Sequence, residues 1–123
     1  MRFSPNGNSF ATVSQKIVKL WKLDENNEYF HTELTKAPWR ISEAITFSPD
    51  GKVLILLGPQ KHRIKLFDVE TGKFIGNLTG HTEPIETLVF SHDGKTLASG
   101  SQDGTVLLWD WEQVINEELT DYE

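Results

Sequence analysis

The residues best suited to chemistry gather in the last third of the chain. His81, Glu83 and His92 carry donor atoms of the kind that ligate metals. Ser99, His81 and Asp103 supply the residue types of a hydrolytic nucleophile, its base and its orienting acid. Lys61, His62, Arg63 and Lys65 make the densest positive cluster. Plainer readings compete with each. Ser99 sits inside an apolar stretch rather than on the exposed elbow a nucleophile needs. The glycines of Ser99–Gly104 lead into a strand, with no lysine or helix N-terminus to hold phosphate. The basic cluster reads as a solvated loop between strands, and His31 and His62 have no partner in sequence.

Composition narrows the classes further. Eighteen acidic side chains face twelve basic ones, and six of the acids lie between Asp110 and Glu123, where there is no base. The first 109 residues are therefore neutral, and the charge of −6 belongs to the tail. Nucleic acid, which needs a basic footprint, is not an expected partner. The sequence has no cysteine, which removes disulfides and thiolate metal sites and points to the cytosol. Met1 leads into Ser4, Pro5, Asn6 and Gly7 rather than a secretion signal. The longest run of large apolar residues, Val53–Leu57, is far shorter than the roughly 20 residues of a bilayer span. A soluble, cytoplasmic chain without membrane partners is expected.

An internal repeat organises the positions of these residues. Phe3–Gly7 reads FSPNG, Phe47–Gly51 reads FSPDG and Phe90–Gly94 reads FSHDG, at spacings of 44 and 43. A second marker ends at Trp21 (KLW), Phe67 (KLF) and Trp109 (LLW), at spacings of 46 and 42. Two markers with one period define a repeat of supersecondary units. His92 occupies the slot of Pro5 and Pro49, so it reads as a turn residue rather than a ligand.

Each unit parses into short strands divided by turn residues. In the middle copy the strands are Ile41–Phe47, Val53–Leu57, Arg63–Val69 and Lys73–Leu78, with a tight Asp50-Gly51 turn and a loop over Gly58–His62. The run Val53–Leu57 is apolar at every position, which predicts a strand covered on both faces.

With this period, Gly80-His81, Ser99, Asp103-Gly104 and Trp109-Asp110 in order, the chain resembles the WD-repeat β-propeller family over nearly its whole length. The resemblance implies an all-β fold, a partial β-propeller built of four-stranded antiparallel blades. The expected organisation is a truncated first blade over 1–35, a degenerate second over 36–79, a third over 80–110 with the fullest signature, and an acidic tail over 111–123. It implies a buried structural hydrogen-bond chain of His81, Ser99, Asp103 and Trp109, with Ser101 as the alternative hydroxyl. Thr12 and Trp21 match that pattern in the first copy. In the second, Leu56, Gln60 and Phe67 replace serine, aspartate and tryptophan. Replacing the whole polar set leaves no half-satisfied network.

For the tail, Trp111, Val114, Ile115, Leu119 and Tyr122 recur at helical spacing, and Asp110 with Gln113 resembles a capping box. A short C-terminal helix is preferred to a fourth strand over Val114–Thr120, although Glu117 and Glu118 fall at its unfavourable end. The family resemblance implies a non-catalytic scaffold for protein–protein interaction, without catalytic residues, cofactor or metal. Trp39 and Arg40, in the connection between the first two blades, are the expected partner contact. Two and a half blades leave apolar faces open, which is expected of a fragment of a longer WD-repeat protein with no independent function or of a mis-called start, ahead of a chain that self-associates through those faces to close a ring. A metal or small-ligand site at His81, Glu83 and His92 is the rival reading.

Overall fold

The computed structural model describes residues 1–14, 17–36, 45–57 and 63–120. Three antiparallel sheets follow one another along the chain. The first contains β1 (Arg2–Phe3), β2 (Ser9–Val13), β3 (Ile17–Leu23) and β4 (Tyr29–Lys36), in that spatial order. The second contains β5 (Ile45–Phe47), β6 (Val53–Leu57), β7 (Ile64–Asp68) and β8 (Phe74–Leu78). The third has three strands, β9 (Ile85–Phe90), β10 (Thr96–Ser101) and β11 (Val106–Asp110). This is the partial propeller that the family resemblance implies.

The chain leaves β11 directly into helix α1 (Trp111–Thr120). The Asp110 carboxylate accepts from the Gln113 backbone N–H at 3.4 Å, a long N-cap contact. Trp111, Val114 and Ile115 of the stripe read from the sequence dock the helix, while the Tyr122 expected in it lies outside the described residues. Trp111 and Val114 join the cluster between the second and third sheets, and Trp111 meets the Phe90 ring edge-on at 5.0 Å between centroids.

Two apolar clusters hold the sheets face to face. Ala11, Val18 and Leu20 of the first sheet pack on Ile45, Phe47, Leu54, Leu56 and Phe67 of the second. From the other face of the second sheet, Val53, Ile55, Leu57, Ile64 and Leu66 pack on Ile85, Leu88 and Leu97 of the third. Alternation along β6 sends Leu54 and Leu56 one way and Val53, Ile55 and Leu57 the other, so all five are buried. The apolar run therefore marks the middle sheet. Of the strand expected over Ile41–Phe47, only Ile45–Phe47 lies within the described residues.

The repeated FSPNG-type string builds the same hairpin three times. Ser4, Ser48 and Ser91 each donate a hydroxyl to the side-chain oxygen of Asn6, Asp50 or Asp93, at 2.6–2.7 Å. Each serine Oγ then accepts the backbone N–H five residues on, from Ser9, Val53 or Thr96, at 3.0–3.1 Å. The Asn or Asp oxygen also accepts the N–H two residues ahead, closing an Asx turn. Gly7, Gly51 and Gly94 follow at φ of 74–76°, a conformation that strains any residue with a Cβ. The hairpins stack from sheet to sheet. A Cβ on Gly51 would lie 3.7 Å from Pro5, and one on Gly94 would lie 3.0 Å from Pro49.

Candidate functional site

The third sheet assembles the polar side chains singled out in the sequence. Ser99 lies mid-strand in β10 opposite Leu107 of β11, and Trp109 lies two residues beyond, opposite Leu97. That offset directs the indole Nε1–H at the Ser99 Oγ, 3.0 Å away. His81, just ahead of β9, brings Nε2 to 2.8 Å of the same Oγ and Nδ1 to 3.1 Å of Asp103 Oδ2. The Asp103 carboxylate can only accept, so Nδ1 donates to it, and the tautomer with Nε2 unprotonated lets that nitrogen accept from the Ser99 hydroxyl. The chain then runs in one direction from Trp109 to Ser99 to His81, with Asp103 fixing the ring from its other side.

Asp103 is held from several directions. The Thr105 hydroxyl and backbone N–H both donate to Oδ1, and the Thr82 N–H donates to Oδ2 at 3.1 Å. These bonds, Thr105's hydroxyl foremost, hold the carboxyl well below the usual carboxylate range against the opposing effect of desolvation. Thr105 had no place in the sequence reading. Its signal was the spacing Asp-x-Thr, in which the threonine side chain can return to a carboxylate two residues earlier. Ser101, the alternative hydroxyl, is used elsewhere: its Oγ donates to the Glu83 and Pro84 carbonyls and accepts the Asp103 N–H.

Ser99, His81 and Asp103 thus have the connectivity of a nucleophile, base and acid. Burial decides what the arrangement can do. Ser99 is 0% exposed, its Oγ also receives the Trp109 N–H, and it stands inside a strand packed against another sheet. A substrate carbonyl cannot approach that oxygen without opening the sheet interface. Every polar atom is instead spent on a neighbour, which is how a buried polar network contributes to a fixed geometry.

The equivalent places in the other sheets follow the sequence differences. In the first, Trp21 Nε1–H donates to Thr12 Oγ1 at 3.0 Å. In the second, Leu56 and Phe67 stand at those two places and are buried with the apolar cluster. His31 is not isolated, since its ring lies 4.7 Å from that of Trp21. Glu83 and His92 are exposed, His92 between Ser91 and Asp93 in its hairpin. Among the described residues, no three His, Cys, Asp or Glu side chains gather to hold a metal. Trp39, Arg40, Gln60, Lys61 and His62 lie outside the described residues.

A family model for the WD domain, G-beta repeat, matches residues 1–22 and 72–110. The chain belongs to the WD-repeat family. Its WD-repeat relatives include Periodic tryptophan protein 2 of Arabidopsis thaliana, 35% identical over 111 residues, covering 86% of this chain and 11% of that protein. An uncharacterized WD repeat-containing protein of Schizosaccharomyces pombe is 30% identical over 102 residues, covering 82% of this chain and 28% of its own length. The human WD repeat and SOCS box-containing protein 1 is 43% identical over 60 residues, 48% of this chain and 14% of that protein. The chain thus spans between 11 and 28% of the length of these WD-repeat relatives. The unmatched residues between 22 and 72 include most of the middle sheet, where Leu56 and Phe67 depart from the pattern. Among the described residues, no helix is long and apolar enough to cross a membrane.

Proposed function

We propose that this WD-repeat chain is a non-catalytic scaffold that binds other proteins, and that it works in the cytosol. The observation that carries the binding reading is the outer face of the third sheet. Val89, Val106 and Leu108 are 56%, 66% and 71% exposed. They are not scattered. Val89, Ala98 and Leu108 stand side by side across three strands, with Thr87, Gly100 and Val106 in the adjoining row. A contiguous apolar patch on an ordered sheet is the usual mark of an interaction surface. In this reading His81, Ser99, Asp103 and Trp109 stiffen the sheet that presents the patch. The Trp39–Arg40 pair serves as a second contact, on the strength of its residue types.

A photo-crosslinking side chain introduced at position 106 of the full chain, expressed in its own cells, tests this. Discrete protein adducts that disappear on Leu108→Asp are expected. Failure to form any protein adduct from position 106 would overturn the reading.

A further inference from the structure

The two outermost faces of the stack are different from each other and complementary in kind. Each internal sheet contact joins an aliphatic face to an aromatic one. Ala11, Val18 and Leu20 of the first sheet meet the row Phe47, Leu54, Phe67 of the second, in which neighbouring strands pair residue by residue. The open face of the third sheet repeats the aliphatic partner. Pairing places Ala98 opposite Leu108 and Gly100 opposite Val106, as Ala11 lies opposite Leu20 and Val13 opposite Val18. Ala98, Val106 and Leu108 are therefore the same residue types in the same register as Ala11, Val18 and Leu20. The first set is buried to within 1%. In the third sheet, Val106 and Leu108 face outward.

The open face of the first sheet repeats the aromatic partner. Phe3, Phe10 and Trp21 are paired across β1, β2 and β3 as Phe47, Leu54 and Phe67 are across β5, β6 and β7. Phe3 is 53% exposed, and its ring joins a row running through Phe10 to Trp21, with centroids 5.2 and 5.7 Å apart. The hairpins carry the same asymmetry. Gly51 sits over Pro5 and Gly94 over Pro49, while nothing lies within 4 Å of where a Cβ on Gly7 would be. At the other end of the stack, His92 holds the slot of those prolines. Helix α1 packs against the second and third sheets through Trp111 and Val114 and so lies on the inner side of the third sheet.

We propose that the aliphatic face of the third sheet, centred on Val106 and Leu108, docks onto the aromatic face of the first sheet of a second copy of this chain, centred on Phe3 and Phe10. The contact continues the packing already used twice within the chain, and seats Gly7 of one copy beside His92 of the other. It is head-to-tail, so it leaves one unused face at each end and propagates into a ring or a filament. The proposal takes the apolar patch of the scaffold reading and assigns its occupant.

Two variants at exposed positions test it by complementation. Leu108→Glu blocks the aliphatic face and leaves the aromatic one intact; Phe3→Glu does the reverse. Mass by light scattering after size exclusion is read for the wild type, each variant, and their equimolar mixture, with far-ultraviolet circular dichroism confirming the fold. The wild type should exceed the chain mass of 14.0 kDa at least twofold, and each variant alone should return to it. The mixture should give a species of twice the chain mass and no larger. A monomeric wild type, or a mixture that stays monomeric while both variants are folded, would overturn the head-to-tail contact. Variants that each still dimerise alone would also overturn it, because that pattern belongs to a two-fold symmetric interface. A monomeric wild type that still forms adducts with other proteins from position 106 would end this proposal and leave the scaffold reading standing. The absence of any such adducts would end the scaffold reading itself.

Discussion

The Trp109 indole N–H donates to the Ser99 hydroxyl at 3.0 Å, and Trp21 makes the same bond to Thr12 at 3.0 Å two sheets away. Only the first of these continues, through the 2.8 Å contact of Ser99 with His81. Ser99→Ala would strand both the indole N–H and the His81 Nε2, at a cost of about 2–3 kcal/mol, whereas Thr12→Val should cost about 1 kcal/mol. Urea unfolding of the two variants measures the difference. Equal losses would mean that the longer chain adds nothing.

Removing the rings should separate the two sheets in the same order. Trp109 packs against the cluster between two sheets, while Trp21 lies on the open aromatic face. Trp109 is partly buried, so Trp109→Ala should cost about 3 kcal/mol, the low end of the range for a large core ring, and Trp21→Ala clearly less. The same urea midpoints decide it, and a larger loss at Trp21 would contradict the assignment.

The hairpin serines carry a graded prediction. Ser48 is buried and accepts the Val53 N–H at 3.0 Å, whereas Ser91 makes the matching bond to Thr96 in an exposed turn. Ser48→Ala leaves a buried donor unpaired and should cost about 1–3 kcal/mol. Ser91→Ala should cost less, because water can take the partner's place. Thermal melts of the two variants compare them.

Acid should find the loop around Asp103. Its folded-state pKa lies below the unfolded value, mainly through the Thr105 hydroxyl, so ionised Asp103 contributes stability above the ordinary carboxylate range. That contribution is lost as pH falls below about 4. Asp93 is shifted the same way, by the Ser91 hydroxyl first and the Lys95 N–H. Asp103→Asn should therefore be less stable than wild type at neutral pH and should lose less further stability between about pH 4 and pH 2. Urea midpoints across that range provide the check, and parallel curves for the two proteins would contradict it.

What the sequence revealed and what it hid have separable causes. Val53–Leu57 could be read as a doubly covered strand because five consecutive apolar side chains leave no polar face, and β6 has those same bounds. The helix after Asp110 was legible from its 3.6-residue stripe, although the helix dipole disfavours the acids at its C-terminal end. The strings around Phe3, Phe47 and Phe90 gave the period and the turn, but not the serine's part in it. That part depends on a backbone N–H five residues ahead, visible only once the hairpin closes. Likewise, the Lys22 ammonium meets the Val69 carbonyl at 3.0 Å, a contact between sheets 47 residues apart that no local pattern encodes. The complementary outer faces are a tertiary property too. Ala98, Val106 and Leu108 look like any alternating strand residues until the pairing with Ala11, Val18 and Leu20 is known.

One measurement tells directly whether protein covers the outer face of the third sheet. The sequence contains no cysteine, so Leu108→Cys introduces a single thiol whose labelling rate reports on that face alone. The full chain is labelled in its own cells and compared with Glu25→Cys, at an exposed turn position. Labelling at position 108 should be at least tenfold slower than at position 25, and should become equal to it in denaturing urea. Equal rates in the native state would mean that Leu108 faces water and that protein does not cover the face.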